Sequence, residues 1–124
     1  MNLSFNRHRR LRQSAALRSM VRENHVHVED LVYPLFVVEG ENVRNEISSM
    51  PDVFHLSLDN LLGEIDEIVS LGIKSVLLFG VPKEKDECGQ GAYHDHGIVQ
   101  EATRLIKESY PELIVIADTC LCEY

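Results

Sequence analysis

Three apolar stretches, separated by amphipathic ones, dominate the chain after its first thirty residues. They are Leu31–Glu39, Ser75–Val81 and Leu113–Ala117, and each is rich in β-branched residues and apolar at both odd and even positions. Short runs of this kind are typical of strands covered on both faces, as in parallel sheets. We therefore predict three buried parallel strands.

The stretches between these strands have helical spacing. After Ser57, apolar residues recur on one helical face up to Gly72, a residue suited to a left-handed helix C-cap. That face consists of Leu58, Leu61, Leu62, Ile65, Ile68, Val69 and Leu71. A second amphipathic helix is predicted from Ile98 to Tyr110, just before Pro111. The alternation of strands and helices predicts parallel α/β units with right-handed crossovers.

The remaining segments are polar or short. Residues 40–56 are predicted to form a surface excursion with a hairpin, residues 83–97 a polar loop, and residues 14–23 a short helix that starts after Ser14. Three parallel strands and two helices leave the outer edges of the first and third strands open, which is an aggregation hazard. We therefore expect the 124 residues to be the front part of a larger protein.

Composition places the chain among ordinary globular proteins, with 44% hydrophobic and 26% charged residues. No apolar run approaches the roughly 20 residues of a membrane span, and no apolar segment follows the N-terminal arginines as in a secretory signal. Three cysteines, two of them one residue apart, argue against a disulfide framework. We expect a cytoplasmic protein without a membrane partner.

Charge is distributed unevenly along the sequence. Residues 1–22 contain six arginines and no acidic residue, whereas residues 23–124 contain 6 basic and 20 acidic residues. Arginine clusters can bind nucleic acid, but the acidic remainder would repel a polyanion. The favoured interpretation is that the arm docks on the acidic surface of a second copy of the chain, which predicts a homo-oligomer without a nucleic-acid partner.

The strongest candidate chemistry lies at the C-terminus. Alternation along an extended strand puts Asp118, Cys120 and Cys122 on one side, at the carboxyl end of a buried parallel strand, where ligands bind in α/β folds. Two thiolates in a Cys-x-Cys pair can form half of a Zn²⁺ site if the backbone bends. The alternative, which the local residues alone favour slightly, is that both cysteines fill a core.

A second cluster of possible ligands occupies the polar loop. Cys88, His94 and His96 are residue types that bind metals, but the glycines around them favour solvated side chains over a metal site.

Several motifs in one order resemble the porphobilinogen synthase (5-aminolevulinate dehydratase) family. They are Arg9-Arg10-Leu11-Arg12, Leu17-Arg18-x-Met20, Asp30-Leu31-Val32-x-Pro34-Leu35-Phe36-Val37, Ser49-Met50-Pro51, Phe79-Gly80-Val81-Pro82 and Asp118-Thr119-Cys120-Leu121-Cys122-Glu123-Tyr124. The last motif resembles the zinc-dependent branch, whereas other members of the family depend on magnesium. The resemblance runs along essentially the whole chain and identifies it with the N-terminal portion of such a protein.

The resemblance implies the first three βα units of a (β/α)₈ TIM barrel, with an oligomerisation arm at residues 1–30 and a partial barrel at residues 31–124. It implies a hydro-lyase that condenses two 5-aminolevulinate molecules to porphobilinogen with loss of two waters, in tetrapyrrole and heme synthesis, usually as a homo-octamer assembled through the arm.

For the site, the resemblance implies that Asp118 is the active-site carboxylate and that Cys120 and Cys122 are zinc ligands, with Mg²⁺ as an additional activator. A third cysteine ligand and two Schiff-base lysines are expected beyond Tyr124, so we expect these 124 residues alone to be inactive. A stand-alone binding or assembly module of flavodoxin-like topology is the alternative.

Overall fold

The helices and strands form largely where the hydrophobic pattern places them. The computed structural model describes residues 8–119. The helices are α1 (Ala15–Met20), α2 (Leu58–Ser70), α3 (Gln90–Tyr93) and α4 (Ile98–Ser109). The strands are β1 (Val32–Val38), β2 (Arg44–Glu46), β3 (Phe54–Leu56), β4 (Ser75–Val81) and β5 (Ile114–Ala117). Two short 3₁₀ helices, Arg10–Arg12 and Val28–Asp30, precede β1.

The five strands form one sheet in the order β2-β3-β1-β4-β5. Strands β1, β4 and β5 are parallel and adjacent in chain order, with Val32 opposite Ser75 and Ser75 opposite Ile114. In a flavodoxin-like sheet the first strand would lie between the second and the third. The consecutive order is that of a (β/α) barrel, and the predicted fold class is confirmed over the flavodoxin-like alternative.

The hydrophobic core lies on one face of this sheet, beneath α2 and α4. Strand residues of one parity, Leu35, Val37, Val76 and Leu78, are at most 2% exposed there. The helices and connecting segments complete the core with Leu56, Leu61, Ile65, Ile68, Ile73, Ala102, Ile106 and Leu113. Both helices therefore cover the same face, as the outer helices of a barrel do.

The opposite face of the sheet is not covered within the described residues. Ile114 is 58% exposed, Val32 46% and Ile116 40%, although all three lie on apolar strands. The prediction that the strands are covered on both faces is confirmed for the face beneath α2 and α4 and stays a prediction for the other face. In a complete barrel that inner face is filled by side chains from strands around the whole ring, not by helices.

Residues 40–56 form the predicted hairpin, but the hairpin also extends the sheet. Strand β3 pairs antiparallel with β2 and parallel with β1, with Phe36 opposite His55 and Val37 opposite Leu56. The outer edge of β1 is therefore not fully open, and the sheet has five strands instead of the predicted three. The pairing brings Leu56, which is 2% exposed, beside the buried Val37 in the core.

A buried serine ties the hairpin to α2. The Ser57 hydroxyl accepts a hydrogen bond from the Val43 backbone N–H at 2.8 Å and donates one to the Val43 carbonyl at 3.3 Å. The Asn60 side-chain amide donates to the same carbonyl at 3.1 Å. Ser57 precedes α2, yet its side chain bonds to the hairpin rather than capping the helix.

Two local predictions need correction. Within the predicted apolar face, Leu61, Ile65 and Ile68 are buried, but Val69 is 38% exposed and Leu71 63% exposed. Leu71 is the C-cap, where the chain leaves the helical path, and Gly72 follows with the expected positive φ of 87°. The loop at residues 83–97 contains the single-turn helix α3, which the sequence pattern did not predict.

The described part of the arm makes little contact with the sheet. Ser14 caps α1 as predicted by accepting a hydrogen bond from the Leu17 N–H at 3.1 Å, although the helix ends at Met20 rather than at residue 23. No residue between 8 and 31 is buried. The division into an arm at residues 1–30 and a partial barrel at residues 31–124 stays a prediction. Among the described residues, no helix is both long and apolar enough to cross a membrane.

The role of Ser57 predicts a measurable loss of stability. Replacing Ser57→Ala in the complete gene product leaves the Val43 N–H without its acceptor, and we expect the free energy of unfolding to fall by about 1–3 kcal/mol. Ser70→Ala is the matched control, since the exposed Ser70 hydroxyl only donates to the nearby Glu67 carbonyl. Urea unfolding curves measure both changes, and equal losses would contradict the assignment.

Candidate functional site

The carboxyl ends of β4 and β5 meet at one edge of the sheet. Ala117 pairs with Leu78, and the N–H of the next residue, Asp118, donates to the Leu78 carbonyl at 3.1 Å. This bond continues the ladder one residue past the end of β5, and the Asp118 side chain is exposed. The predicted active-site carboxylate therefore lies where ligands bind in barrels and open α/β sheets.

An open cavity of about 420 Å³ lies at this edge. Its lining comes from the ends of β4 and β5, the first turns of α4 and the loop around α3, namely Gly80, Pro82, Gly91, Ala92, Ile98, Val99, Gln100, Thr103, Arg104, Ala117 and Asp118. Most of these residues are apolar and a few are polar, and because Gly80 and Ala117 have the parity of the buried core residues, the cavity lies on the face that α4 covers. Such a mixture is typical of small-molecule sites, in which a few polar groups fix the orientation of the ligand.

An aromatic layer lies on the uncovered face at the same level. Phe36 pairs with Phe79, and their rings stack with centroids 5.0 Å apart and an interplanar angle of 15°. His55 from β3 meets Phe36 edge-on at 6.2 Å. Phe79 follows Leu78, the partner of Ala117, so alternation along β5 puts Asp118 on the face that carries this layer. The edge thus combines a carboxylate with an apolar floor.

Sequence reasoning missed this aromatic layer. Phe36 and Phe79 stand in separate strands, 43 residues apart in number, and their stacking depends on the register between β1 and β4. The sequence does show that Phe36 and Phe79 alternate with the apolar residues that form the core, so both lie on the other face of the sheet. It does not show that the two rings are neighbours, because that depends on the register between β1 and β4.

Of the three predicted site residues, the structure describes one. Asp118 lies at the edge as predicted, whereas Cys120 and Cys122 lie outside the described residues, so the predicted pairing of their thiols with Asp118 stays a prediction. In residues 8–119, no group of three or more His, Cys, Asp or Glu side chains is arranged to hold a metal ion.

The second candidate cluster does not assemble into a metal site. The Cys88 N–H donates to the Asp86 carboxylate, while its side chain is exposed. His94 accepts a hydrogen bond on its ring Nδ1 from the His96 N–H at 3.1 Å, and the His96 ring is engaged elsewhere. The interpretation of these side chains as loop residues fits their geometry better than a shared metal.

The His96 ring forms a hydrogen bond with the carboxylate of Glu101 on α4. His96 Nδ1 lies 2.6 Å from Glu101 Oε1, and Arg104 Nη1 lies 2.9 Å from the same oxygen. The hydrogen bond with His96 and the charge of Arg104 hold the pKa of Glu101 below its usual value of 4.5. The contribution of this contact to folding is present above that usual value and is lost as the pH falls through the lowered pKa.

Comparison with known proteins shows the family to which the chain is similar. A family model described as "Delta-aminolevulinic acid dehydratase" matches residues 5–124. The delta-aminolevulinic acid dehydratase of Halalkalibacterium halodurans is 65% identical over 99% of this chain, and that of Bacillus subtilis is 60% identical over 100% of this chain. The chain spans 38% of the length of each of these relatives.

A solved structure shows the same fold. The crystal structure of delta-aminolevulinic acid dehydratase (porphobilinogen synthase) from Toxoplasma gondii, in complex with the reaction product porphobilinogen, superimposes with a TM-score of 0.85 and 36% sequence identity. The match covers 95% of this chain and 34% of that protein.

Proposed function

Because the chain belongs to the delta-aminolevulinic acid dehydratase family, we propose that the protein to which it belongs condenses two molecules of 5-aminolevulinate to porphobilinogen with loss of two waters. This hydro-lyase reaction is a step of tetrapyrrole and heme synthesis. The structural observation that carries the proposal is the position of Asp118 at the carboxyl edge of the sheet, on the face that carries the stacked rings of Phe36 and Phe79.

Asp118 supplies a carboxylate where a substrate amino group can be bound. An ionised carboxylate only accepts hydrogen bonds, so it suits an ammonium or N–H group and can take a proton from it during the condensation. Asp118 is exposed in the described structure and can therefore be reached by a substrate that enters from this edge.

Phe36 and Phe79 provide an apolar surface beside the carboxylate. Their stacked rings cover the floor below Asp118 and keep water away from that side of the substrate. In a less polar surrounding, the interaction between Asp118 and a charged substrate group becomes stronger. The apolar rings offer no hydrogen bonds to the two water molecules that the reaction releases.

The metal in this proposal is Zn²⁺ held by Cys120 and Cys122. Thiolates are preferred zinc ligands, so the donor set fits the ion, and these two residues stand two and four positions after Asp118 in the sequence. When bound, Zn²⁺ acts as a Lewis acid that polarises a substrate carbonyl or binds an amine. Mg²⁺ as an activator and a cytoplasmic location, where thiols stay reduced, belong to the same proposal.

The activity is tested with the complete gene product, 5-aminolevulinate and Zn²⁺. We expect formation of porphobilinogen and a substrate adduct after borohydride reduction, as Schiff-base chemistry requires. In Asp118→Asn, kcat/KM is expected to fall by about 100-fold or more, with an unchanged melting temperature. Asp52→Asn in the exposed hairpin is the control. No product from the unmodified protein would refute the function, and full activity of Asp118→Asn would refute the role of this residue.

Zinc binding is tested separately by measuring metal content. In Cys120→Ala and in Cys122→Ala, we expect loss of stoichiometric Zn²⁺ and of most activity, because a thiolate site that loses one ligand no longer keeps its geometry. Cys88→Ala is a matched control, since the Cys88 side chain lies exposed in the loop. Normal zinc content in both site variants, or zinc loss in Cys88→Ala, would contradict the assignment.

The arm is proposed to dock on a second copy of the chain, within a homo-octamer. Its described residues expose apolar side chains, among them Met20 at 83% and Val26 at 81%, and its arginines oppose the acidic remainder in charge. Both properties favour an interface between copies.

Deleting residues 1–22 is therefore expected to reduce the size of the oligomer measured by light scattering. High salt should weaken assembly in part, because 1 M salt shortens the screening length to about 3 Å. A deletion variant with the same mass as the unmodified oligomer would contradict the docking role.

A further inference from the structure

The hairpin adds a histidine to the uncovered face of the sheet. His55 on β3 is paired with Phe36 on β1, and the His55 ring meets the Phe36 ring edge-on, with centroids 6.2 Å apart. Phe36 is in turn paired with Phe79 on β4, and their rings are stacked. Residues paired in register carry their side chains on the same face. His55 therefore lies on the face opposite to the one that α2 and α4 cover.

Asp118 stands at the other end of the same row. The ladder between β4 and β5 continues one residue beyond its last pair, which puts Asp118 beside Phe79. The row thus runs along the carboxyl edge of the sheet as His55, Phe36, Phe79 and Asp118. Three strand spacings of about 4.8 Å separate its ends, or about 14 Å in all. Two polar side chains therefore flank an apolar strip formed by the two phenylalanine rings.

The hairpin that carries His55 is fixed from the opposite face. The Arg44 guanidinium carbon lies 3.9 Å from the centroid of the Phe54 ring, and Arg44 Nη1 lies 3.4 Å from Glu64 Oε2 on α2. Ser57, which directly follows β3, adds its two hydrogen bonds to the hairpin. These contacts hold the backbone of β3 in place before any ligand arrives. A group that is ordered in advance binds with a smaller loss of conformational entropy.

The imidazole of His55 has capacity for a ligand. Within residues 8–119, neither of its ring nitrogens forms a hydrogen bond, and the side chain is half-buried. A neutral imidazole has one N–H donor, and a protonated one has two donors and a positive charge. Both forms suit a carboxylate, whereas the ionised Asp118 carboxylate only accepts hydrogen bonds. The two ends of the row therefore favour opposite kinds of ligand group.

The substrate of the proposed reaction carries both kinds of group. 5-Aminolevulinate has an amino group at one end of its chain and a carboxylate at the other, and the condensation of two molecules keeps both carboxylates. We propose that His55 is a specificity-determining residue, which binds a carboxylate of 5-aminolevulinate through its imidazole N–H at the end of the row opposite Asp118; this inference rests on the proposed function. The rings of Phe36 and Phe79 then face the carbon chains between the two polar ends.

The test compares two inhibitors that each lack one end of the substrate. Levulinate is the substrate without its amino group, and 1-aminobutan-2-one is the substrate with its carboxylate replaced by hydrogen. In His55→Ala of the complete gene product, the inhibition constant of levulinate is expected to rise about tenfold, because a hydrogen bond to a charged group is lost. The inhibition constant of 1-aminobutan-2-one should stay within about twofold, since this inhibitor has no carboxylate for His55 to bind.

Two further variants complete the comparison. His55→Lys keeps a donor and a positive charge, so levulinate should inhibit it within about threefold of the unmodified protein. Asn45→Ala is the matched control, because Asn45 is paired with His55 on β2, is exposed and lies one strand further from Asp118. It should change neither inhibition constant.

A selective rise for levulinate in His55→Ala, reversed in His55→Lys, supports the proposal. An unchanged levulinate constant in His55→Ala, an equal rise for both inhibitors, or the same rise in His55→Lys or Asn45→Ala overturns it. Porphobilinogen formation by the unmodified protein is measured first. Its absence would refute the proposed function and this role with it, whereas the inhibitor results refute the role of His55 alone.

Discussion

The structure depends on the packing of two helices against residues of one parity in the parallel strands β1 and β4. Leu35, Val37, Val76 and Leu78 face α2 and α4 and are almost completely buried. Because neighbouring side chains along a strand point to opposite faces, this burial fixes which residues face the other side. The register between the strands then aligns Phe36 with Phe79 and places Asp118 at the end of the row. The core thus determines the geometry of the candidate site.

Much of this arrangement could be predicted from the sequence, because its signals are local and periodic. The bounds of β4 agree with the prediction at both ends, and α2 ends before Gly72 as expected. What could not be predicted depends on contacts between distant residues. The pairing of β3 with β1 places Leu56 in the core, which no local pattern indicates. In the sequence, Ser57 has the position of a helix N-cap, whereas in the structure its hydroxyl bonds to Val43.

The candidate site shows the same division between local and distant information. Asp118 was predicted from its place at the end of a strand, and the structure puts it directly after β5, while its role as the active-site carboxylate stays a prediction. The layer of stacked phenylalanines was not predicted, because it joins two strands whose proximity and register follow from the fold. Motifs indicated the family and the chemistry, whereas the side chains that shape the cavity emerged only from the three-dimensional arrangement.

The central claim is that the reaction takes place at the carboxyl edge of this sheet, against Asp118. The most direct measurement is a crystal structure of the complete gene product with porphobilinogen bound. The account predicts that a nitrogen of the product lies within about 3.2 Å of the Asp118 carboxylate, with the pyrrole ring on the side of Phe79. Product bound at the opposite edge of the sheet, or out of reach of Asp118, would contradict it.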